Sequence, residues 1–338
     1  MCVVWQAYQY WWGLQIQRIL SQHSYARRVE MFPAAWKAKL GAGYFEPMEP
    51  ITAITWRGDS VQDLRRLKWL LFLRTFEVIK MNSYEWKALA EFRQITTLSI
   101  EESVPDAGFV SIGKLDRLRK LSLWVSPDTA TSSIQQIASL PRLEKLHWQF
   151  ADSRFSYGTN RAEPAVRPRL YEPMMRELAK SRSLAWLKMP WVNDGELLAL
   201  TEQSSDAEFP LVNLTELRLD ESLISDAGLN NLHHVPNLIH LDLSHSNVSD
   251  EGLTFLKSIR RMRTLYLSGC QGITDQGAER LAELLSLESL NVRETRLTKA
   301  GVIKLGSLKR LRSFRIGNEH VHSELRQVLP PTCKINTY

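Results

Sequence analysis

"ISDAGLNNL", residues 224–232, returns as "VSDEGLTFL" at 248–256, "ITDQGAERL" at 273–281 and "LTKAGVIKL" at 297–305. Each copy opens like a helix. Ser225, Ser249, Thr274 and Thr298 carry hydroxyls suited to the N-cap, and in three of the four an aspartate follows, favoured at the positive helix end. Leu229 with Leu232, and Leu253 with Leu256, then fall on one face. Gly228, Gly252, Gly277 and Gly301 break the pattern, since glycine inside a helix costs about 1 kcal/mol relative to alanine. A cost repeated four times needs a packing reason. Without a Cβ, the helix is expected to lie tight against the strand layer or the adjacent coil.

Working outward, the stretch before each copy reads L-x-x-L-x-L. The anchors are Leu214, Leu217, Leu219; Leu238, Leu241, Leu243; Met262, Leu265, Leu267; Leu287, Leu290, Val292; and Leu311, Phe314, Ile316. The middle anchors step by 24, 24, 25 and 24 residues. The frame runs back through Leu143, Leu146, Trp148; Leu118, Leu121, Leu123; Ile95, Leu98, Ile100; Leu73, Phe76, Val78; and Ile51, Ile54, Trp56. Alternation such as Leu217, Arg218, Leu219, Asp220 has period two, so each L-x-L is a short strand with one face buried. The slot that turns inward afterwards holds Asp59, Ser103, Ser222, Ser246, Cys270 and Thr295, small groups able to bond a neighbouring turn. Cys270 therefore reads as a buried ladder residue rather than a reactive thiol.

A period in this range, with L-x-x-L-x-L followed by a small polar residue, is the signature of leucine-rich repeats. The predicted fold class is α/β, a curved solenoid with parallel strands on the concave face and short helices on the convex face, because no single repeat buries its apolar side alone. The chain resembles the bacterial leucine-rich-repeat proteins whose repeats carry an [VI]-[ST]-D-x-G-L segment. The resemblance rests on "VSDEGL", "ITAITWRGDSVQD", "KAKLGAGYFE" and the ending "LRQVLPPTCKIN". It implies binding or scaffolding, supplies no catalytic residues, and implies an N-terminal membrane anchor, since that group often begins with one. Similar repeats occur in the leucine-rich halves of eukaryotic F-box proteins, which makes a substrate-receptor subunit of a ubiquitin ligase the alternative.

The predicted organisation is an aromatic, apolar segment over 1–24, a cap over 25–50, the repeat array over 51–322 and a C-terminal cap over 323–338. "VVWQAYQYWWGLQI", residues 3–16, is interrupted by Gln6, Gln9 and Gln15 and falls short of the roughly 20 apolar residues a spanning helix needs. Its tryptophans and tyrosines ahead of Arg18, Arg27 and Arg28 suit a membrane interface, as an interfacial helix or the tail of an anchor; an amphipathic cap on the first coil is the competing reading. Tyr25 to Leu40 reads as a helix, ended at Gly41 to Gly43. The step from Leu146 to Leu187 is 41 residues and that from Leu187 to Leu217 is 30. The first excess includes 151–170, a loop with four arginines and two prolines, either functional or an inert excursion.

The formal charge is +6, from 43 basic and 37 acidic residues interspersed along the chain, so nucleic acid is not an expected partner. Three separated cysteines give neither a disulfide framework nor a zinc motif. P-loop, GxGxxG, GxSxG and HExxH patterns are absent from the sequence, so no catalytic residue and no cofactor is assigned.

Residues flanking the buried anchors face the concave side. They give the binding candidates Lys120, Trp124, Lys145, His147, Gln149, Trp186, Lys188, Arg218, His240, Asp242 and Tyr266. Aromatics beside cations on an exposed sheet are the residue types that dominate binding energy at interfaces; packing of Trp124 and Trp186 beneath the insertion is the other reading. A metal-dependent centre near His147, His240 and Asp242 is a minor alternative, because His240 and Asp242 supply two ligands on one strand and zinc needs three or four. The expected partner is a protein or extended polymer; residues 1–24 leave two alternatives, association with a membrane surface or a cytoplasmic protein.

Overall fold

The anchors carry the structure as their alternation requires. Ile54 and Trp56, Phe76 and Val78, Leu98 and Ile100, Leu121 and Leu123, and each later pair through Phe314 and Ile316 are at most 2% exposed. The computed structural model describes residues 18, 24–28, 51–58, 60–68, 70, 73–126, 129–150, 172–202, 211–317 and 327–336. The insertion at 151–170 and most of the 1–24 and 25–50 segments lie outside the described residues.

The chain divides into two compact units, 1–143 with 150–157, and 144–149 with 158–338. In the first, strands β1 (Ser24–Arg28), β2 (Ile51–Trp56), β3 (Thr75–Val78), β4 (Thr97–Ser103) and β5 (Lys120–Val125) alternate with helices α1 (Val61–Leu67), α2 (Ser83–Leu89), α3 (Asp106–Ile112) and α4 (Thr131–Ala138). β2 to β5 are parallel neighbours in chain order. β1 pairs antiparallel with β2, Ala26 opposite Ile54. Residues 25–28 are therefore strand, not the helix that the sequence suggests. The physical reason is the edge: β2 would otherwise present a row of unpaired backbone groups, and a strand can pair with them where a helix cannot.

The second unit contains β6 (Lys145–Phe150, of which 145–149 belong here), α5 (Glu172–Ala179), β7 (Trp186–Lys188), α6 (Asp194–Thr201), β8 (Glu216–Arg218), α7 (Asp226–Asn230), β9 (His240–Asp242), a 3-10 helix over Gly252–Ser258, β10 (Thr264–Tyr266), α8 (Asp275–Leu281), β11 (Ser289–Asn291), α9 (Lys299–Lys304), β12 (Ser313–Arg315) and β13 (Lys334–Asn336). All eight strands are parallel and neighbours in chain order. Leu187, Leu217, Leu241, Leu265, Leu290 and Phe314 stand in register, so the sequence frame is the register of the sheet. β13 adds a last parallel strand from the predicted C-terminal cap, with Leu329 and Cys333 buried beneath it.

The glycines have a specific reason. A Cβ on Gly228, Gly252, Gly277 or Gly301 would lie 2.2 Å from Oδ1 of Asp194, Asp226, Asp250 or Asp275, respectively. Each aspartate reaches forward one coil. Asp250 accepts the Thr274 amide at 2.8 Å and the Thr274 hydroxyl at 2.5 Å, and Asp194 does the same for Ser225, Asp226 for Ser249 and Asp275 for Thr298. Close approach is thus correct, and of the two expected neighbours it is the adjacent coil, through its aspartate, that approaches rather than the strand layer. The serine or threonine also caps its own helix, as Ser225, Thr274 and Thr298 do for α7, α8 and α9. α2 and α6, which lack this segment, start instead with capping boxes, Asn82 with Glu85 and Asn193 with Glu196.

The inward slot is filled unevenly. Ser222, Ser246 and Cys270 are buried, and Cys270 Sγ donates to Leu243 O at 3.2 Å beside Ser246 Oγ. Burial pushes the Cys270 thiol up, which suits a structural, protonated sulfur. Ser103 departs from the expectation. β4 extends through it with a register irregularity against β5, so Ser103 is exposed and Val104 takes the buried position.

Candidate functional site

Strand alternation in the second unit buries Leu146, Leu187 and Leu217 and leaves their neighbours on the open sheet face. Trp186 on β7 stands at its centre, half-buried. Lys145 Nζ lies 5.9 Å from its ring centroid and Arg218 Cζ lies 5.6 Å from it. One tryptophan is therefore flanked by cations from the strands on both sides. Such contacts are worth roughly 0.5–1 kcal/mol each at exposed sites, enough to hold the indole upright but not to bury it.

The third neighbour is His147, edge-on to Trp186 with centroids 6.3 Å apart and planes at 85°. Its Nε2 lies 3.2 Å from Gln149 Nε2. An amide nitrogen only donates, so with this assignment of the amide His147 accepts at Nε2 and carries its proton on Nδ1. Burial, and then the Lys188 charge, hold the imidazole below its ordinary pKa, with Asp220 opposing. His147 is a neutral group at neutral pH.

Carboxylates offset two of the cations. Lys188 Nζ pairs with Asp220 Oδ2 at 3.1 Å, and Arg218 is held by Glu216 Oε1 at 2.6 and 2.7 Å. Sequence reasoning named Lys188 and Arg218 without these partners. The alternation puts Glu216, Arg218 and Asp220 on one face, and the stacked strands bring Asp220 to Lys188 one coil away. Along the same face, His240 is exposed, and Asp242 and Tyr266 are half-buried. Asp242 Oδ1 accepts the Ser244 amide at 3.0 Å, a local turn contact. Lys120 and Trp124 belong to the first unit, on β5, exposed and half-buried.

Among the described residues, no group of three or more His, Cys, Asp and Glu side chains could hold a metal ion. No helix among them is long and apolar enough to cross a membrane. What the Trp186 cluster can do chemically is bury aromatic surface and offer Lys145 and a neutral imidazole at its rim.

Residues 234–257 and 260–282 match the family model described as Leucine Rich repeat. These two stretches are leucine-rich repeats. A solved chain from the Rad7 and Elc1 complex in yeast is similar over 100% of this chain and 90% of its own, with 15% identity and a TM-score of 0.57. An internalin, inlF, from Listeria monocytogenes aligns over 81% of this chain and 70% of its own, with 16% identity and a TM-score of 0.46. No curated protein matches the chain in sequence. The repeat match, the register and the Rad7–Elc1 likeness agree on fold class: a leucine-rich-repeat α/β solenoid.

Proposed function

We propose that the protein is a non-catalytic interaction scaffold that binds a protein partner through its open sheet face, centred on Trp186. The observation that supports this is the half-buried Trp186 held between Lys145 and Arg218 beside neutral His147. A tryptophan braced this way loses little rotamer freedom on binding and has area left to bury, the combination found at interface hot spots. Gln149, His240, Asp242 and Tyr266 extend the surface within the second unit, and Lys120 with Trp124 are a separate candidate pair on β5 of the first unit. Tethering at a membrane through residues 1–24 belongs to the same proposal and rests on the aromatic composition of that segment.

The test is capture by crosslinking and mass spectrometry with the native chain and with Lys145→Ala, Trp186→Ala combined, both checked for equal unfolding midpoints. Selective loss of one captured species supports the reading; an unchanged set contradicts it. A second reading is a substrate-receptor subunit that captures an adaptor through residues 1–45. The likeness to a chain of the Rad7 and Elc1 complex is one of fold alone. That reading requires adaptor capture to survive the Trp186 change and to disappear on deletion of 1–45.

A further inference from the structure

Residues 257–317 carry thirteen lysines and arginines against five aspartates and glutamates, more net positive charge than the whole chain's +6. Three of the five acids pair with cations: Glu283 with Lys257, Glu288 with Arg263 and Glu279 with Lys304. A fourth, Asp275, is committed to Thr298. The charge is thus uncompensated, and it is also ordered.

The turns leading into β10, β11 and β12 share one backbone design: the residue four before each strand, Arg260, Leu285 or Lys309, donates its amide two residues back, to Ser258, Glu283 or Ser307. The register Thr264, Ser289, Ser313 stacks these turns. Arg260, Leu285 and Lys309 therefore form one row, Arg261, Ser286 and Arg310 the next, and Arg263, Glu288 and Arg312 a third. Arg260, Arg261, Arg263, Lys309, Arg310 and Arg312 are all exposed. Among the described residues no carboxylate pairs with Arg260, Arg261, Lys309, Arg310 or Arg312. Between the two basic clusters stands Leu285, 60% exposed. With strands about 4.8 Å apart, the clusters are separated by roughly 10 Å, the span of three extended residues.

We infer that this edge is a second docking surface, distinct from the Trp186 face, for an acidic polypeptide segment with an aliphatic residue between acidic residues three or four apart. Charge complementarity selects the acidic flanks. Leu285 selects the aliphatic centre, which a nucleic-acid backbone or a phospholipid headgroup would leave facing phosphate. Glu288, paired with Arg263 in the third row, removes net positive charge at the position where a segment of this pattern carries none, which disfavours a continuous polyanion. The basic turns set encounter and salt dependence, and the leucine contact sets discrimination.

The experiment is fluorescence anisotropy of a fluorescein-labelled peptide, GDEELLEEDG, on the full chain, alongside its serine-centred version GDEESSEEDG, a short DNA duplex, and vesicles of mixed phosphatidylserine and phosphatidylcholine. Binding of the leucine peptide is expected to weaken about tenfold or more in Arg261→Glu, Arg310→Glu combined, and severalfold in Leu285→Ser, with stronger binding at low salt. Trp186→Ala is expected to bind it as the native chain does, which keeps this result separate from the fate of the sheet-face proposal. Circular dichroism and unfolding midpoints establish that the variants fold; Arg260→Ala, Lys309→Ala combined is the milder pair if the reversal does not. The inference is overturned if the leucine peptide fails to bind, if it binds all variants alike, if the serine version binds equally well, or if DNA or vesicles bind more tightly without dependence on Leu285.

Discussion

Glycine and aspartate in the repeated segment make one device spread over two coils. Asp250 is buried and accepts two hydrogen bonds from Thr274, so Asp250→Ala is expected to cost about 2–4 kcal/mol, from hydrogen bonds to a charged acceptor. Gly277→Ala forces a methyl to 2.2 Å from Asp250 Oδ1 and is expected to cost about 1–3 kcal/mol, less the helix gain of alanine. In the Asp250→Ala background the same glycine change should become neutral or stabilising, since the remaining neighbour, Leu253 Cδ1 at 3.0 Å, is a flexible side-chain end. A double-mutant cycle by chemical denaturation measures this, and additive losses would contradict the device. Reading one coil at a time sees the aspartate only beside its own helix, because its hydroxyl partner lies 23 or 24 residues later in the regular repeats. The left-handed residues Glu221, His245 and Glu294 were hidden for a similar reason. They occupy the slot where Gly269 sits, and only the glycine marks it in sequence. At the site, His147 titrates below the ordinary value of 6.5 for its burial and Lys188, so the unfolded chain takes up the proton first. Stability from this group is full above that value and falls as pH drops through and below it. Denaturation at pH 7.5 and pH 5.5 should therefore show His147→Gln losing less on acidification than the native chain.

Elements were legible where a period fixed them. The anchors of β2 to β12 follow from the alternation alone, and within each unit they stand in the strand register, since a one-residue slip would expose every anchor. Truncating Leu241, buried on β9 between β8 and β10, to alanine is expected to cost about 2–5 kcal/mol. Because each coil leans on its neighbours, hydrogen exchange should quicken in β8 and β10 as well as in β9; acceleration confined to β9 would contradict nearest-neighbour stacking. β1 was not legible, because "SYARR" has no apolar alternation and its role comes from the edge it covers. Replacing residues 24–28 with Gly-Ser-Gly-Ser-Gly is expected to raise concentration-dependent self-association through the uncovered β2 edge, measured by sedimentation velocity. An unchanged sedimentation profile would show that the edge is protected otherwise. Ser103 was misread because β4 runs past the length of a standard repeat strand and shifts register, which the spacing of its anchors does not reveal.

At the scale of the molecule, the division of labour follows from layering. In the second unit apolar anchors and the aspartate device hold the coils together, and the open sheet face displays Trp186 and its neighbours. That half of the candidate site was readable as residue types, Trp186, Lys145 and His147; the pairing of Lys188 and Arg218 with Asp220 and Glu216 needed the stacked strands. The most direct test of the central claim places a photo-crosslinking benzoylphenylalanine at His240, on the open sheet face, and in a second protein at Leu198, exposed on the helix α6 of the same unit. A discrete crosslinked partner is expected from the sheet-face position and none from the helix position, with that partner lost when Trp186→Ala is added. Crosslinks of equal yield from both positions, or a sheet-face crosslink indifferent to Trp186, would contradict the claim.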